Sequence, residues 1–188
     1  QEKYILKSEK PWGAILFRRN IKSYDQLRNL TKNIRQCIKG PFYPIFIDEE
    51  GGMVSRLSHL LNSKEFSQKF FGDLYEKNKK NGKFIYNYYL NSICSVLRNV
   101  GININTIPVM DISRDKTNKI IGSRSFSKNI KIVKSLGSIC INILKKNKIA
   151  SVAKHIPGHG CAADDSHKKL PIVNDNIKKL YFKDFLPF

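Results

Sequence analysis

The chain has 188 residues, of which 41% are hydrophobic, and its formal net charge at pH 7 is +19. This length can bury the core of one domain, and no apolar run is long enough to cross a bilayer. The positive charge comes mainly from lysines scattered among asparagine and isoleucine residues, without the interleaved aromatic residues of a single-stranded nucleic-acid surface. We therefore expect neither a membrane partner nor a specific nucleic-acid partner.

The first half of the chain alternates apolar runs with helical patterns. Residues 13–17 predict a buried strand, and Ser23 begins a helix by a capping box with Gln26. The apolar positions of this helix recur at helical spacing, and Gly40 is its predicted stop. Residues 44–47 predict a second strand, which is followed by a polar segment.

The second half repeats this alternation. Residues 63–80 predict a loop with a short helix, and residues 85–100 predict a longer helix that Gly101 ends. Residues 102–109 then predict the third strand, and residues 132–143 the next helix. The fourth strand is predicted over residues 149–152, immediately before a histidine-rich loop.

Strands that alternate with helices predict an α/β fold with a parallel sheet covered by helices. Polar residues follow each strand in turn: Arg18–Asn20, Asp48–Glu50, Asp111 and Lys154–His155. In α/β sheets and barrels the carboxyl ends of the strands hold the ligand. The sequence therefore predicts a binding site at that edge.

Four side chains near these strand ends suit a polyhydroxylated ligand such as a sugar. Asp48 can accept hydrogen bonds from two ligand hydroxyl groups, while Arg56, Arg124 and Lys154 supply charged donors. A surface position for Arg56 and a capping or ion-pair role for Asp48 are the structural alternatives.

Residues 154–167 contain three of the four histidines of the chain. Asp165 and His167 are two residues apart, so the carboxylate can orient the imidazole, which then acts as a general acid and later as a general base. A metal site is the competing interpretation, with ligands His155, His159, Cys161 and His167. Their spacing matches no zinc signature, so we expect no metal.

The cysteines indicate the redox environment of the protein. Cys37, Cys94 and Cys140 fall in or near apolar helical patterns, which predicts buried free thiols and a reducing compartment. No CxxC pair is present in the sequence, which argues against a structural zinc site.

Five segments together resemble the bacterial family 3 glycoside hydrolases, specifically the cytoplasmic β-N-acetylglucosaminidases of peptidoglycan recycling. They occur in the family's order at residues 13–20, 47–52, 101–112, 121–126 and 154–167. The family's fold is a (β/α)8 TIM barrel. The resemblance therefore implies that residues 1–188 form one partial barrel domain, roughly strands two to five, truncated at both ends.

The same resemblance implies retaining hydrolysis of terminal, non-reducing, β-linked N-acetylglucosamine from peptidoglycan fragments. His167 would be the acid/base and Asp165 its orienting partner. The positions that bind the N-acetylglucosamine unit are matched by Asp48, Arg56, Arg124, Lys154 and His155. The expected substrate is a muropeptide or a chitooligosaccharide, with no cofactor, a cytoplasmic location and a mostly monomeric full-length protein.

Two departures from the family pattern qualify this expectation. Met53 and Cys161 replace a common arginine and a common aspartate, neither with an assigned role. The family's nucleophilic aspartate lies beyond the stretch that residues 1–188 match, so these residues alone are expected to be inactive and poorly soluble. A non-catalytic sugar-binding protein and, least favoured, a basic nucleic-acid-binding protein are the alternatives.

Overall fold

A computed structural model describes residues 2–114, 121–156, 158–162, 170–173 and 175–188. The α-helices are α1 (Glu2–Ser8), α2 (Tyr24–Ile38), α3 (Gln68–Lys77), α4 (Lys79–Asn99), α5 (Ile130–Lys146) and α6 (Ile177–Leu180). The strands are β1 (Ala14–Leu16), β2 (Ile45–Ile47), β3 (Glu49–Gly51), β4 (Val54–Ser55), β5 (Ile104–Asn105) and β6 (Ala150–Ser151).

The predicted α/β fold is confirmed. Four strands form a parallel sheet in the order β1-β2-β5-β6, so each strand of this sheet lies beside the next one in the sequence. The helices α2, α4 and α5 connect these strands, as expected for a right-handed βαβ arrangement with sequential strand order. All carboxyl ends of the sheet therefore point to one edge.

The boundaries of α2 differ in part from the prediction. The Ser23 side chain accepts a hydrogen bond from the Gln26 amide, as predicted, but the Gln26 side chain accepts from the Lys22 amide instead of completing the box. The predicted stop at Gly40 is wrong, because Lys39 takes the left-handed conformation with φ of 57° and caps the helix. The prediction for Gly101 is confirmed, since it lies after α4 with φ of 78°.

The third strand is shorter than the predicted residues 102–109. Only Ile104–Asn105 pair with β2 and β6, and Val109 forms an isolated parallel bridge with Lys154. Pro108 has no amide hydrogen to donate to a ladder, which interrupts the strand between these two places. Helix α1 and the antiparallel hairpin β3–β4 were not predicted.

The core lies between the sheet and its helices. Ile45 and Ile47 of β2 are fully buried, and the aromatic side chains of Phe71 and Tyr86 join α3 to α4 at a ring-centroid distance of 4.6 Å. All four cysteines are free, with Cys94 and Cys140 buried and Cys37 and Cys161 partly buried. None of the helices in the described ranges is long and apolar enough to span a membrane.

Candidate active site

Side chains from three strand ends meet at the carboxyl edge of the sheet. Asp48 follows β2, Thr106 follows β5 and Lys154 lies after β6. The Thr106 hydroxyl group donates to Asp48 Oδ1, and Lys154 Nζ lies 3.2 Å from the same oxygen. Arg56 Nη2 lies 2.9 Å from the other oxygen, Asp48 Oδ2. Asp48 is therefore held on both oxygens.

Glu50 is a second carboxylate at the same edge. Its side chain is 1% exposed and accepts from Lys154 Nζ at 2.6 Å. Arg124 forms a two-pronged ion pair with it, with Nε–Oε2 of 2.7 Å and Nη2–Oε1 of 2.9 Å. This fork fixes the plane of the guanidinium group, because both of its bonds must be satisfied together. Lys154 is shared between two carboxylates.

The His155 ring is oriented by a buried aspartate. Its Nδ1 lies 2.7 Å from Asp111 Oδ2, and its backbone amide donates to the same oxygen at 3.1 Å. The Gly160 amide donates to Asp111 Oδ1 at 3.1 Å. With Nδ1 bonded to the carboxylate, His155 turns Nε2 toward Arg124, 3.4 Å from Nη2. Asp111 thus joins the root of the histidine-rich loop to β5.

The charge of Asp48 is stabilised by its neighbours. Burial opposes ionisation of this carboxyl group, but the hydrogen bond from Thr106, the charge of Lys154 and the hydrogen bond from Arg56 together hold its pKa at about 2. Asp48 is therefore a carboxylate throughout the physiological range, able to accept hydrogen bonds from ligand hydroxyl groups.

The hairpin β3–β4 carries part of the site and is anchored by Glu49. The buried Glu49 Oε2 accepts from the Ser55 hydroxyl at 3.0 Å and from the Leu57 amide at 2.9 Å, and Oε1 accepts from the Ser63 hydroxyl at 3.2 Å. Burial raises the pKa of Glu49 above its usual value, against these hydrogen bonds. Glu49 thereby fixes the segment that bears Glu50 and Arg56.

An open cavity of about 620 Å³ is lined by Thr106 and by the charged or ring side chains of Asp48, Glu50, Arg56, Arg124, Lys154 and His155. This volume lies in the range of small-molecule sites. Its walls combine charged side chains with the apolar surfaces of Met53, Val54 and Val152. The arrangement can bind a polar ligand with one face against an apolar surface, which is the chemistry of a sugar ring.

The five predicted binding residues, Asp48, Arg56, Arg124, Lys154 and His155, all line this cavity. Their role in binding remains a prediction. The predicted catalytic pair, Asp165 and His167, lies outside the described residues. Arg18 is not among the cavity residues, and its Nε donates to His59 Nε2 at 2.9 Å.

Three participants were missed as site residues: Glu50, Thr106 and Asp111. Glu50 is two residues after Asp48, so strand alternation could have placed it on the same side. Glu50 and Asp111 both belong to the predicted strand-end residues, but the pairing of Asp111 with His155 joins residues distant in sequence. In the part of the chain that the structure describes, no group of three or more His, Cys, Asp or Glu side chains is placed to hold a metal ion.

The chain is similar to known proteins over its whole length. The family model described as "Glycosyl hydrolase family 3 N terminal domain" matches residues 1–188. The beta-hexosaminidase of Thioalkalivibrio sulfidiphilus is 31% identical over 187 residues, which is 100% of this chain and 53% of that protein. Beta-hexosaminidase A of Pseudoalteromonas piscicida is 32% identical over 94% of this chain and 30% of its own length.

A solved structure is also similar to this chain over its whole length. NagZ from Neisseria gonorrhoeae superposes with a TM-score of 0.90 at 30% identity, over 100% of this chain and 54% of that protein. The same protein has been solved in complex with N-trifluoroacetyl-D-glucosamine. The predicted resemblance and partial TIM-barrel architecture are confirmed by these matches. The chain spans about half the length of these NagZ structures and of most of the relatives that it matches.

Proposed function

The chain belongs to glycosyl hydrolase family 3, whose N-terminal domain model matches residues 1–188, and from this membership we propose that it is part of a β-N-acetylhexosaminidase. Residues 1–188 would supply one partial barrel domain of that enzyme. The reaction would release terminal, non-reducing, β-linked N-acetylglucosamine from a peptidoglycan fragment or a chitooligosaccharide, in the cytoplasm.

The observation that carries this proposal is the convergence of Asp48, Arg124, Lys154 and His155 in one cavity. Asp48 offers fixed acceptors, and the three cationic or ring donors lie around it, so neighbouring hydroxyl groups of one sugar can be bound at once. The solved complex of the Neisseria gonorrhoeae relative with N-trifluoroacetyl-D-glucosamine supports a ligand of this type.

In the proposed mechanism, His167 donates a proton to the departing glycosidic oxygen and Asp165 orients its imidazole. A carboxylate nucleophile would form a glycosyl-enzyme, which water then hydrolyses with His167 acting as the base. By resemblance, none of Asp111, Asp164, Asp175 and Asp184 sits on the motif of that nucleophile. Residues 1–188 alone should therefore show no turnover.

The test is hydrolysis of a chromogenic β-N-acetylglucosaminide by the whole encoded polypeptide that contains residues 1–188. His167→Ala should lower kcat by about 10²–10⁴-fold, since the proton donor is lost. The matched control is His59→Ala, which removes an exposed histidine outside the cavity and should leave kcat unchanged. Equal kcat values for His167→Ala and the unmodified enzyme would exclude the proposed acid/base.

The second candidate is a sugar-binding protein without catalysis. It is favoured by the cavity, whose charged lining can bind a sugar without any catalytic step. It predicts saturable binding of N-acetylglucosamine and no release of the chromophore by the whole polypeptide. Measurable turnover would eliminate this candidate.

A further inference from the structure

A second cavity, of about 540 Å³, lies at the opposite edge of the sheet, between the carboxyl ends of α2 and α4. We call it the basic pocket. Five of its lining residues are cationic: Arg28, Lys32, Arg35, Lys39 and Arg98. Gly40 lies in the segment that leads into β2, and Gly101 lies in the segment that leads into β5. The pocket is therefore at the amino ends of these strands. It is separate from the candidate active site.

The positive charge of this pocket has no balancing carboxylate among the residues that the structure describes. In the ranges that the structure describes, no aspartate or glutamate lines the pocket, and none forms an ion pair with its five cations. Arg28 Nε donates to the Asn99 carbonyl group at 3.1 Å, so this cation supplies a hydrogen-bond donor to the last residue of α4. Two helix carboxyl ends together supply only about one negative charge, which leaves a net positive charge of several units.

Arg35 is the most enclosed of the five cations. Burial lowers the pKa of its guanidinium group below the usual value. Its Nη1 lies 3.0 Å from the point that a Cβ atom on Gly101 would occupy, so the glycine leaves room for this side chain. The Thr31 hydroxyl donates to the Val100 carbonyl group at 2.7 Å and ties the two walls together.

Lys39 enters the pocket from a backbone conformation that disfavours lysine. Its φ of 57° lies in the left-handed region, where glycine is normally found at the end of a helix. Lys10 and Lys148 have the same left-handed conformation, so it does not by itself mark a binding residue. Lys39 adds a positive charge to the lining of the pocket, four residues after Arg35.

We propose that the basic pocket binds the phosphate group of a small anion, either inorganic phosphate or a phosphate monoester. Three arginines, of which Arg28 already donates to the Asn99 carbonyl group, and two flexible lysines suit a tetrahedral dianion that accepts several hydrogen bonds. A carboxylate would leave most of these donors unused. The proposal is independent of the sugar chemistry at the other edge.

The test is equilibrium dialysis of the whole encoded polypeptide with labelled inorganic phosphate at constant ionic strength. We expect saturable binding with Kd of about 1 mM. Arg35→Gln should weaken binding by about tenfold, because it removes a charge-assisted contact. Lys39→Gly should weaken it by about threefold or more without lowering Tm, since glycine fits the left-handed backbone.

The matched control is Lys148→Gly. Lys148 is also a left-handed lysine at a helix end, with φ of 59°, but it is not among the residues of the basic pocket. Lys148→Gly removes one positive charge and places glycine at a left-handed position, as Lys39→Gly does. It should leave phosphate binding unchanged. Equal weakening by Lys39→Gly and Lys148→Gly would show diffuse attraction by net charge and overturn the proposal.

Competition identifies the form of the ligand. Displacement of labelled phosphate by glycerol phosphate would support a phosphate monoester, and displacement by unlabelled phosphate alone would support the free anion. Equally strong displacement by acetate, or no saturable binding up to about 20 mM phosphate, would overturn the site.

Discussion

At the scale of single residues, the site depends on carboxylates that are held in place by many partners. Asp48 has a pKa of about 2 in the folded protein, against an ordinary value of 3.8. A carboxyl group with a depressed pKa stabilises the fold above its unfolded pKa, and this contribution disappears as the pH falls through the folded pKa. The charge of Asp48 therefore links the site to stability.

The consequence is a pH-dependent difference between the unmodified protein and Asp48→Asn. At about pH 6 the unmodified protein should be more stable by about 1 kcal/mol, and the difference should shrink below about pH 4 and vanish near pH 2. Denaturant unfolding at several pH values measures it. A difference that stays constant from pH 6 to pH 2 would contradict the ion-pair assignment.

Asp111 is the second residue with a specific expectation. It accepts hydrogen bonds from two backbone amides and from the His155 ring. Asp111→Asn replaces one of these acceptors with a donor, so unfolding free energy should fall by about 1–3 kcal/mol. Sugar affinity should fall by about tenfold, because the His155 ring is no longer oriented.

Urea unfolding and calorimetry check both quantities for Asp111→Asn. The control is Asp25→Asn, an exposed aspartate in the first turn of α2, which should change stability by no more than about 0.5 kcal/mol. Unchanged sugar affinity in Asp111→Asn, with the expected loss of stability, would limit Asp111 to a structural role.

At the scale of elements, the hairpin β3–β4 is the part that positions the site. Glu49→Ala should lower the unfolding free energy by about 2–4 kcal/mol and weaken sugar binding, because two hydroxyl groups and an amide lose their acceptor. Glu49→Gln keeps an oxygen acceptor and should retain binding. The exposed Glu76→Ala in α3 is the control, with little change in either quantity.

Glu49 also predicts a pH effect of opposite sign to that of Asp48. Its folded pKa lies above the usual value of 4.5, so its contribution favours the folded state at low pH and weakens as pH rises through this range. Glu49→Gln should therefore gain stability relative to the unmodified protein as the pH rises. A relative loss over the same range would contradict the raised pKa.

The main helices and strands were predictable because periodicity and caps are local signals. Ser23, Gly101 and the apolar strand runs specify their own structure. The hairpin β3–β4 was missed because its carboxylates resemble a solvent-exposed loop in sequence, although Glu49 and Glu50 are both buried. Glu50 can be buried because it pairs with Arg124, which is distant in sequence. The same reason hid the pairing of Asp111 with His155.

At the scale of the whole molecule, the described sheet has two edge strands, β1 and β6. Ile15 of β1 is 45% exposed and Val152, just after β6, is 38% exposed. Unpaired strand edges with apolar side chains promote association between chains. Residues 1–188 produced alone should therefore associate and lack a sharp thermal transition. Light scattering and calorimetry measure this, and a monomer with a cooperative melt would contradict it.

The net charge of +19 also belongs to this scale. Along the sequence this charge comes mainly from scattered lysines, but the fold brings five cations together in the basic pocket. Spacing along α2 placed several of them on one helix, whereas the contribution of Arg98 depends on how α4 packs. Composition alone therefore could not separate a diffuse charge from a local site.

The cavity at the carboxyl edge of the sheet is proposed to bind N-acetylglucosamine through Asp48. Calorimetric titration of the whole encoded polypeptide with this sugar tests it most directly. We predict saturable binding that falls by at least about tenfold in Asp48→Ala and is unchanged in Asp73→Ala, an aspartate paired with Lys69 on the exposed face of α3. Equal affinity in the unmodified protein and Asp48→Ala, or no heat of binding at high sugar concentration, would contradict the claim.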